Sequence, residues 1–299
     1  MTQEFPAAAR PDDSSSRYAA PYLDRSRPLG LLAGAGRYPV VLAAKSKQLG
    51  LSLVCVGIRD MASPELPSLA QHHYWCRVGR LGQMIRCFIR HGVRDFVMAG
   101  KIQKTEVLHR RWRVLYTWPD WRILRMFYLR LRDQRDDSIL LSIVDEFASD
   151  GIRCRSALEI CPELLMRPGV LTRRPPTSAE AKDIEFGWIM AKEMGRLDIG
   201  QSVAVRDRSV LAVEAIEGTD RAIERAGQLC PRGGFTIVKV AKPQQDMRFD
   251  VPTIGVTTVE TIRRAGGCAL AIEAERTIVL DVVETVALAD RYGITIVAR

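Results

Sequence analysis

The chain lacks most of the features that would decide its class at once. No uncharged apolar run among its 299 residues approaches the ~18–20 that a membrane-spanning helix needs. The N-terminus, with Glu4, Asp12, Asp13 and three serines, has no apolar core of the secretion-signal kind, so a cytoplasmic location is expected. There is no CxxC pair, no HxH and no HExxH, which argues against a zinc centre built on thiolates or imidazoles. The seven cysteines (55, 76, 87, 154, 161, 230, 268) are odd in number and scattered, most of them in apolar surroundings. They read as reduced core cysteines, not as a disulfide frame. No long internal repeat is visible.

What the chain does have is charge in one place. Residues 101–135 carry ten Lys/Arg against three acids, so most of the +9 net charge is local and points to an anionic partner there. Within this segment, residues 108–132 interleave Trp112, Trp118 and Trp121 with seven arginines, among them Arg122, Arg125 and Arg130. A helix starting at Pro119 would align Trp121, Leu124, Tyr128 and Leu131. Three readings stand side by side: a core helix with a solvated basic face, a nucleic-acid surface without an accompanying motif, and a helix lying on an anionic membrane.

Along the chain, residues 1–27 lack apolar periodicity and read as a tail. Leu29–Ala33 and Leu51–Ile58 read as strands around a helix from Val40 to Gln48, which makes a βαβ opening. The turn Gly34-Ala-Gly36-Arg-Tyr-Pro39 would let backbone N–H groups meet a phosphate at the helix start. The third glycine of a dinucleotide fingerprint is missing. Further strands are expected at 73–78 and 95–99, with a helix over 81–91. Asp136-Asp137 introduces a helix reaching Asp150, one acid serving as its cap. The proline-rich stretch from Cys161 to Thr177 marks a boundary. The expectation is an α/β protein with a tail (1–27), an N-terminal α/β domain with a Rossmann-like sheet (28–162) and a C-terminal α/β domain (163–299).

Ser178 is expected to cap the next helix, and strands follow at 202–205, 210–213 and 235–240. Beyond the last lies Lys242-Pro-Gln-Gln-Asp-Met-Arg-Phe-Asp-Val-Pro-Thr-Ile-Gly255, and then a helix over 259–265. Read as extended chain, it places Asp246, Arg248 and Asp250 on one side. Two acids flanking an arginine suit a metal-bridged phosphate; a solvated loop with one ion pair is the plainer reading. Glu214, Glu217 and Asp220, where a strand hands over to a helix, are either caps and surface charges or further ligands. Carboxylates without histidine favour a hard cation such as Mg2+ or Mn2+.

The blocks LAGAGRYP, RDDSILLSIVDEF, GRLDIGQSVAV, VLAVEAIEGTD and KPQQDMRFDVPTIGVTTVETI together resemble one family, the UDP-2,3-diacylglucosamine pyrophosphatases of the lipid A pathway, LpxI type. The resemblance runs from about Leu29 to Arg299. It departs in the tail, in the Arg/Trp-rich section, and at Arg135, where relatives commonly carry Gly. It implies two α/β domains with the ligand between them, a homodimer, and Mg2+-dependent hydrolysis of UDP-2,3-diacylglucosamine to UMP and 2,3-diacylglucosamine 1-phosphate. Water would attack the sugar-side phosphorus. The essential aspartate of the family's R-x-D-x-P-T-I-G pattern falls on Asp250, with Arg248 and Lys242 as phosphate partners. Asp246, Glu214, Glu217 and Asp220 are the expected companion metal ligands. Gly34, Gly36, Asp136, Asp137, Gln201, Thr219 and Thr253 are expected to contact substrate. A diacyl substrate also gives the aromatic section a purpose, at an acyl groove or on the inner membrane as a peripheral contact, with no nucleic acid involved. The competing readings are a nucleotide-sugar or NAD-binding oxidoreductase and a non-catalytic lipid-binding protein.

Overall fold

A computed structural model describes residues 26–101, 119–129 and 136–299, without the side chains of 127–129 and 136–138. Nearly all of the expected tail, most of the Arg/Trp-rich section and the side chains of Asp136 and Asp137 therefore lie outside the described residues. The described chain divides into two compact units between Cys161 and Pro162.

In the first unit, short apolar runs form strands because each is buried on both faces. β1 (Leu29–Ala33), β2 (Leu53–Ile58) and β4 (Asp95–Ala99) are buried along their whole length. With β3 (His72–Cys76) and β5 (Arg153–Cys154) they make one parallel sheet in the order β3-β2-β1-β4-β5. Among the described residues, the α-helices of this unit are α1 (Tyr38–Gln48), α2 (Leu66–Leu69), α3 (Leu81–Arg90), α4 (Trp121–Leu129) and α5 (Asp136–Ser149). α1 begins two residues earlier than expected, because Pro39 fits the first helical turn, where no backbone donor is needed. Phe88, Phe96 and Phe147 are fully buried. Phe96 and Phe147 stack with ring centroids 4.3 Å apart, which ties α5 to β4.

The aromatic helix differs from its expected stripe. Trp121 is 75% exposed, and Met126 is the buried residue at 1%. Its basic face is not simply solvated either. Glu146 on α5 is completely buried, and Arg125 Nη2 donates to it at 2.8 Å. Arg122 pairs with both Glu146 and Asp150. Asp120 joins the helices: its carboxylate accepts from the Gly82 N–H of α3 at 2.5 Å and from the Ile123 N–H of α4 at 3.1 Å.

The second unit centres on a six-stranded sheet of β6 (Gly169–Val170), β13 (Thr295–Ala298), β11 (Gly267–Ile272), β9 (Phe235–Lys239), β7 (Ser202–Arg206) and β8 (Ser209–Val213), in that spatial order. β9, β11 and β13 run parallel, while β6 and β7 run against their neighbours. Alternation decides the layers. Val203, Val205, Val238 and Val240 face α6 (Ser178–Arg196). Ala204, Phe235, Ile237, Leu270 and Ile272 face the layer of α7 (Thr219–Leu229), α8 (Val256–Ala265) and α9 (Val282–Tyr292). A separate parallel pair, β10 (Thr253–Ile254) with β12 (Ile278–Val279), anchors the segment after Asp250.

In this unit too, helix starts differ from expectation. Thr177, not Ser178, caps α6: it is extended, and it exchanges hydrogen bonds with Glu180 in a capping box. α8 begins at Val256 directly after Gly255, three residues earlier than expected.

Candidate active site

The loop from β9 to β10 is a pair of turns, not an extended segment. The Asp246 side chain accepts from the Arg248 N–H at 3.0 Å, and its carbonyl accepts from the Asp250 N–H at 2.9 Å. Such local bonds compete with strand geometry, so the alternation argument fails here. Arg248 then closes on Asp246 through Nε and Nη2, at 3.0 and 2.6 Å. That hydrogen bonding to Arg248 holds the Asp246 carboxyl below the usual carboxylate range. Asp246 and Arg248 are thus partners of each other.

Asp250 is positioned by a residue outside the expected set. Gln245 is 6% exposed, and its Nε2 donates to Asp250 Oδ2 at 2.8 Å and to Gln201 Oε1 at 3.3 Å. Its Oε1 accepts the Lys242 N–H at 2.9 Å. One buried amide therefore holds the start of the loop, the aspartate at its end and Gln201 before β7. The Lys242 ammonium pairs with Asp198 at 2.7 Å. Glu273 braces the base of the loop, accepting from the Ala241 N–H at 2.7 Å and from Lys192 Nζ at 2.6 Å. Thr253 Oγ1 donates to the Val251 carbonyl at 3.0 Å.

A second cluster lies at the same end of the sheet, because Ser202 at the start of β7 pairs with Lys239 at the end of β9. Lys239 is 3% exposed and donates to Thr219 Oγ1 at 2.6 Å. Thr219 Oγ1 donates in turn to Glu214 Oε1 at 3.0 Å. Glu214 is 7% exposed, and its Oε2 is buried with no hydrogen-bond partner among the described residues. Sequence reading found Glu214 and Thr219 but missed Lys239, whose place at the end of an apolar strand run was the available signal.

The five expected metal carboxylates are not gathered into one group. Glu217 accepts from Arg225 and from the Ala215 N–H at 3.2 Å. Burial works against its charge, but these bonds outweigh it and hold its carboxyl low. Asp220 stands in the first turn of α7. Among the described residues, no group of three or more His, Cys, Asp or Glu could hold a metal ion. A magnesium ion can also be held by only one or two carboxylates together with phosphate oxygens. The Asp250 carboxylate, held by Gln245, and the Glu214 Oε2, without a hydrogen-bond partner among the described residues, are the candidate oxygen donors of this end of the sheet.

In the first unit, the glycine turn is tied to the loop after β4. Gly34 N–H donates to the Ala99 carbonyl at 2.8 Å, and Ala35 and Lys101 exchange backbone hydrogen bonds at 2.8 and 2.9 Å. A side chain at Gly34 would meet the Lys101 carbonyl at 2.8 Å, and Gly100 has φ +92°. These glycines permit the close approach of two backbones, and the Gly34 amide is committed to it. Gly36, at φ +101°, stands clear of neighbours.

The comparisons with known proteins agree across both units. The family model of the LpxI N-terminal domain matches residues 28–164, and that of the LpxI C-terminal domain matches 167–297. The chain belongs to the LpxI family. A Caulobacter vibrioides relative named UDP-2,3-diacylglucosamine pyrophosphatase LpxI is 32% identical over 277 residues, covering 90% of this chain and 96% of the relative. In this LpxI chain, the paired Asp246 and Arg248 and the Gln245-held Asp250 stand in the loop of the second domain that the sequence singled out.

Proposed function

We propose that this protein hydrolyses the pyrophosphate bond of UDP-2,3-diacylglucosamine, yielding UMP and 2,3-diacylglucosamine 1-phosphate in lipid A biosynthesis. The observation that carries this reading is likeness to a relative named for that activity over 96% of the relative's length. Attack of water on the sugar-side phosphorus forms one P–O bond, and the bridging oxygen departs with UMP. Asp250 is the central residue, its carboxylate steadied by Gln245 at 2.8 Å. Mg2+ or Mn2+ would be held by Asp250, with Glu214 as the second carboxylate, and would supply neutralisation of the pyrophosphate charge. Lys239, Lys242 and Arg248 are the cations that would turn to the phosphates, Lys242 and Arg248 exchanging their present partners Asp198 and Asp246 for phosphate oxygens.

The same proposal includes a homodimer and a cytoplasmic protein resting on the inner membrane. The membrane part rests on a substrate with two acyl chains and on Trp121, which is 75% exposed; the homodimer rests on the family resemblance alone. No helix among the described residues is long and apolar enough to cross a membrane. The test is purified protein with UDP-2,3-diacylglucosamine and Mg2+, followed for UMP release. Sustained UMP production is expected; its absence with intact protein overturns the reading.

A further inference from the structure

Two parallel strands of the first unit end side by side in arginine. β2 runs out at Arg59 and β3 at Arg77, and the Arg59 N–H donates to the Cys76 carbonyl at 2.8 Å, which locks the two ends together. Arg80 immediately precedes α3, and Gln83 lies in its first turn. With Trp75 these residues line an open cavity of about 240 Å3. Among the described residues its lining contains three guanidinium groups and no carboxylate.

That composition is unusual beside the arginine-lined cavity around Trp121. There Asp150 is part of the wall, and Arg122 is paired with it. Arg59, Arg77 and Arg80 have no acidic partner among the described residues. Three like charges converging without a counter-charge repel one another, and an oxyanion relieves that repulsion while taking charge-assisted hydrogen bonds. Trp75 adds an aromatic surface. Its indole lies across β2 at Gly57, where a Cβ would come within 2.8 Å of the ring, and His73 packs edge-on at 4.5 Å. The glycine makes the indole's placement possible, and the ring is half-buried beside the arginines. The site lies at the carboxyl ends of the parallel strands β2 and β3.

We propose that Arg59, Arg77, Arg80 and Trp75 form a binding pocket for a nucleoside monophosphate, with the phosphate on the arginines and the planar base against the indole. The choice of UMP as probe rests on the reaction proposed above; the pocket itself does not.

Binding is measured by tryptophan fluorescence and calorimetry with UMP, uridine and inorganic phosphate, without Mg2+. UMP should bind the full chain, uridine and inorganic phosphate each at least about tenfold more weakly, and added salt should weaken UMP. Arg59→Gln/Arg77→Gln/Arg80→Gln should lose about tenfold or more in UMP affinity, and Trp75→Phe should remove the fluorescence response. Arg59 and Arg77 are exposed, so either single variant serves if the triple variant fails to fold. Unchanged UMP affinity in the folded variants overturns the pocket. Equal affinity for inorganic phosphate and UMP, or no UMP binding at millimolar concentration, also overturns it. A chain that binds UMP through these residues but hydrolyses no UDP-2,3-diacylglucosamine keeps the pocket and removes the proposed reaction.

Discussion

Gln245 Nε2 donates to Asp250 Oδ2 at 2.8 Å, and the same amide takes the Lys242 N–H at 2.9 Å. A buried side chain five residues before the aspartate thus sets the direction of its carboxylate and closes the loop around it. Asp250→Ala should leave the fold intact by circular dichroism, because the residue lies in a loop and supports no apolar core. It should lower kcat for UMP release by about 10²-fold or more. Near-native turnover would remove Asp250 from the mechanism.

Gln245→Ala separates holding the loop from performing the reaction. It strands the Lys242 N–H and removes a donor from Asp250, at a cost to stability of about 1–3 kcal/mol. Turnover should fall more than the affinity for substrate, since the variant keeps Asp250 but not its orientation. A variant less stable in urea but unchanged in kcat would reduce Gln245 to a scaffold residue.

The metal proposal has its own check. Thorough chelation with EDTA should abolish UMP release, and Mg2+ or Mn2+ should restore it. Glu214→Gln should raise the Mg2+ concentration needed for half activity. Full activity in chelated protein would end the metal reading.

Membrane contact is best tested away from Arg122 and Arg125. Because Glu146 is fully buried, Arg122→Gln/Arg125→Gln should destabilise the protein by about 3–5 kcal/mol, seen in urea unfolding. Trp121→Ser should leave stability nearly unchanged and weaken sedimentation with anionic vesicles. Equal vesicle binding by wild type and Trp121→Ser would remove the helix from any lipid contact.

Glu180 offers a pH prediction in the second unit. Burial raises its pKa, but both oxygens accept from Arg174 at 2.8 Å and the Thr177 N–H adds a bond at 2.7 Å, so the net value falls to about 2. A depressed carboxyl stabilises the fold fully above its unfolded value of ~4.3. That contribution is lost as the pH falls toward 2. Arg174→Gln should therefore lower Tm at pH 7 while narrowing its difference from wild type near pH 2. A constant difference across that range would show that the pair has no linkage to folding.

Much of this protein is legible in its linear order. Leu29–Ala33, Asp95–Ala99 and Phe235–Lys239 are strands because continuous apolar runs bounded by glycine or polar turns have few other stable conformations. The seven cysteines are free as read, six of them buried. The loop through Asp250 stands out in the sequence as a motif. Its conformation does not, because the Asp246 side chain bonds the backbone two residues on and folds the segment into turns. Helix starts slipped for the same local reason: Thr177 takes the cap because Glu180 stands three residues on and answers it.

Only the tertiary structure decided the partners. Arg122 and Arg125 read as a basic surface until α5 brings the buried Glu146 against them from more than twenty residues away. Lys239 reads as the end of an apolar strand until β7 and α7 set Ser202 and Thr219 beside it. The same folding leaves Asp246 with Arg248 and Glu217 with Arg225, which dissolves the five-carboxylate cluster. Periodicity and composition determine which elements form, because burial of apolar surface repeats with the geometry of helix and strand. Which charges meet is decided by packing across long sequence separations, since a charge gains from a partner only when the fold brings it within a few ångströms.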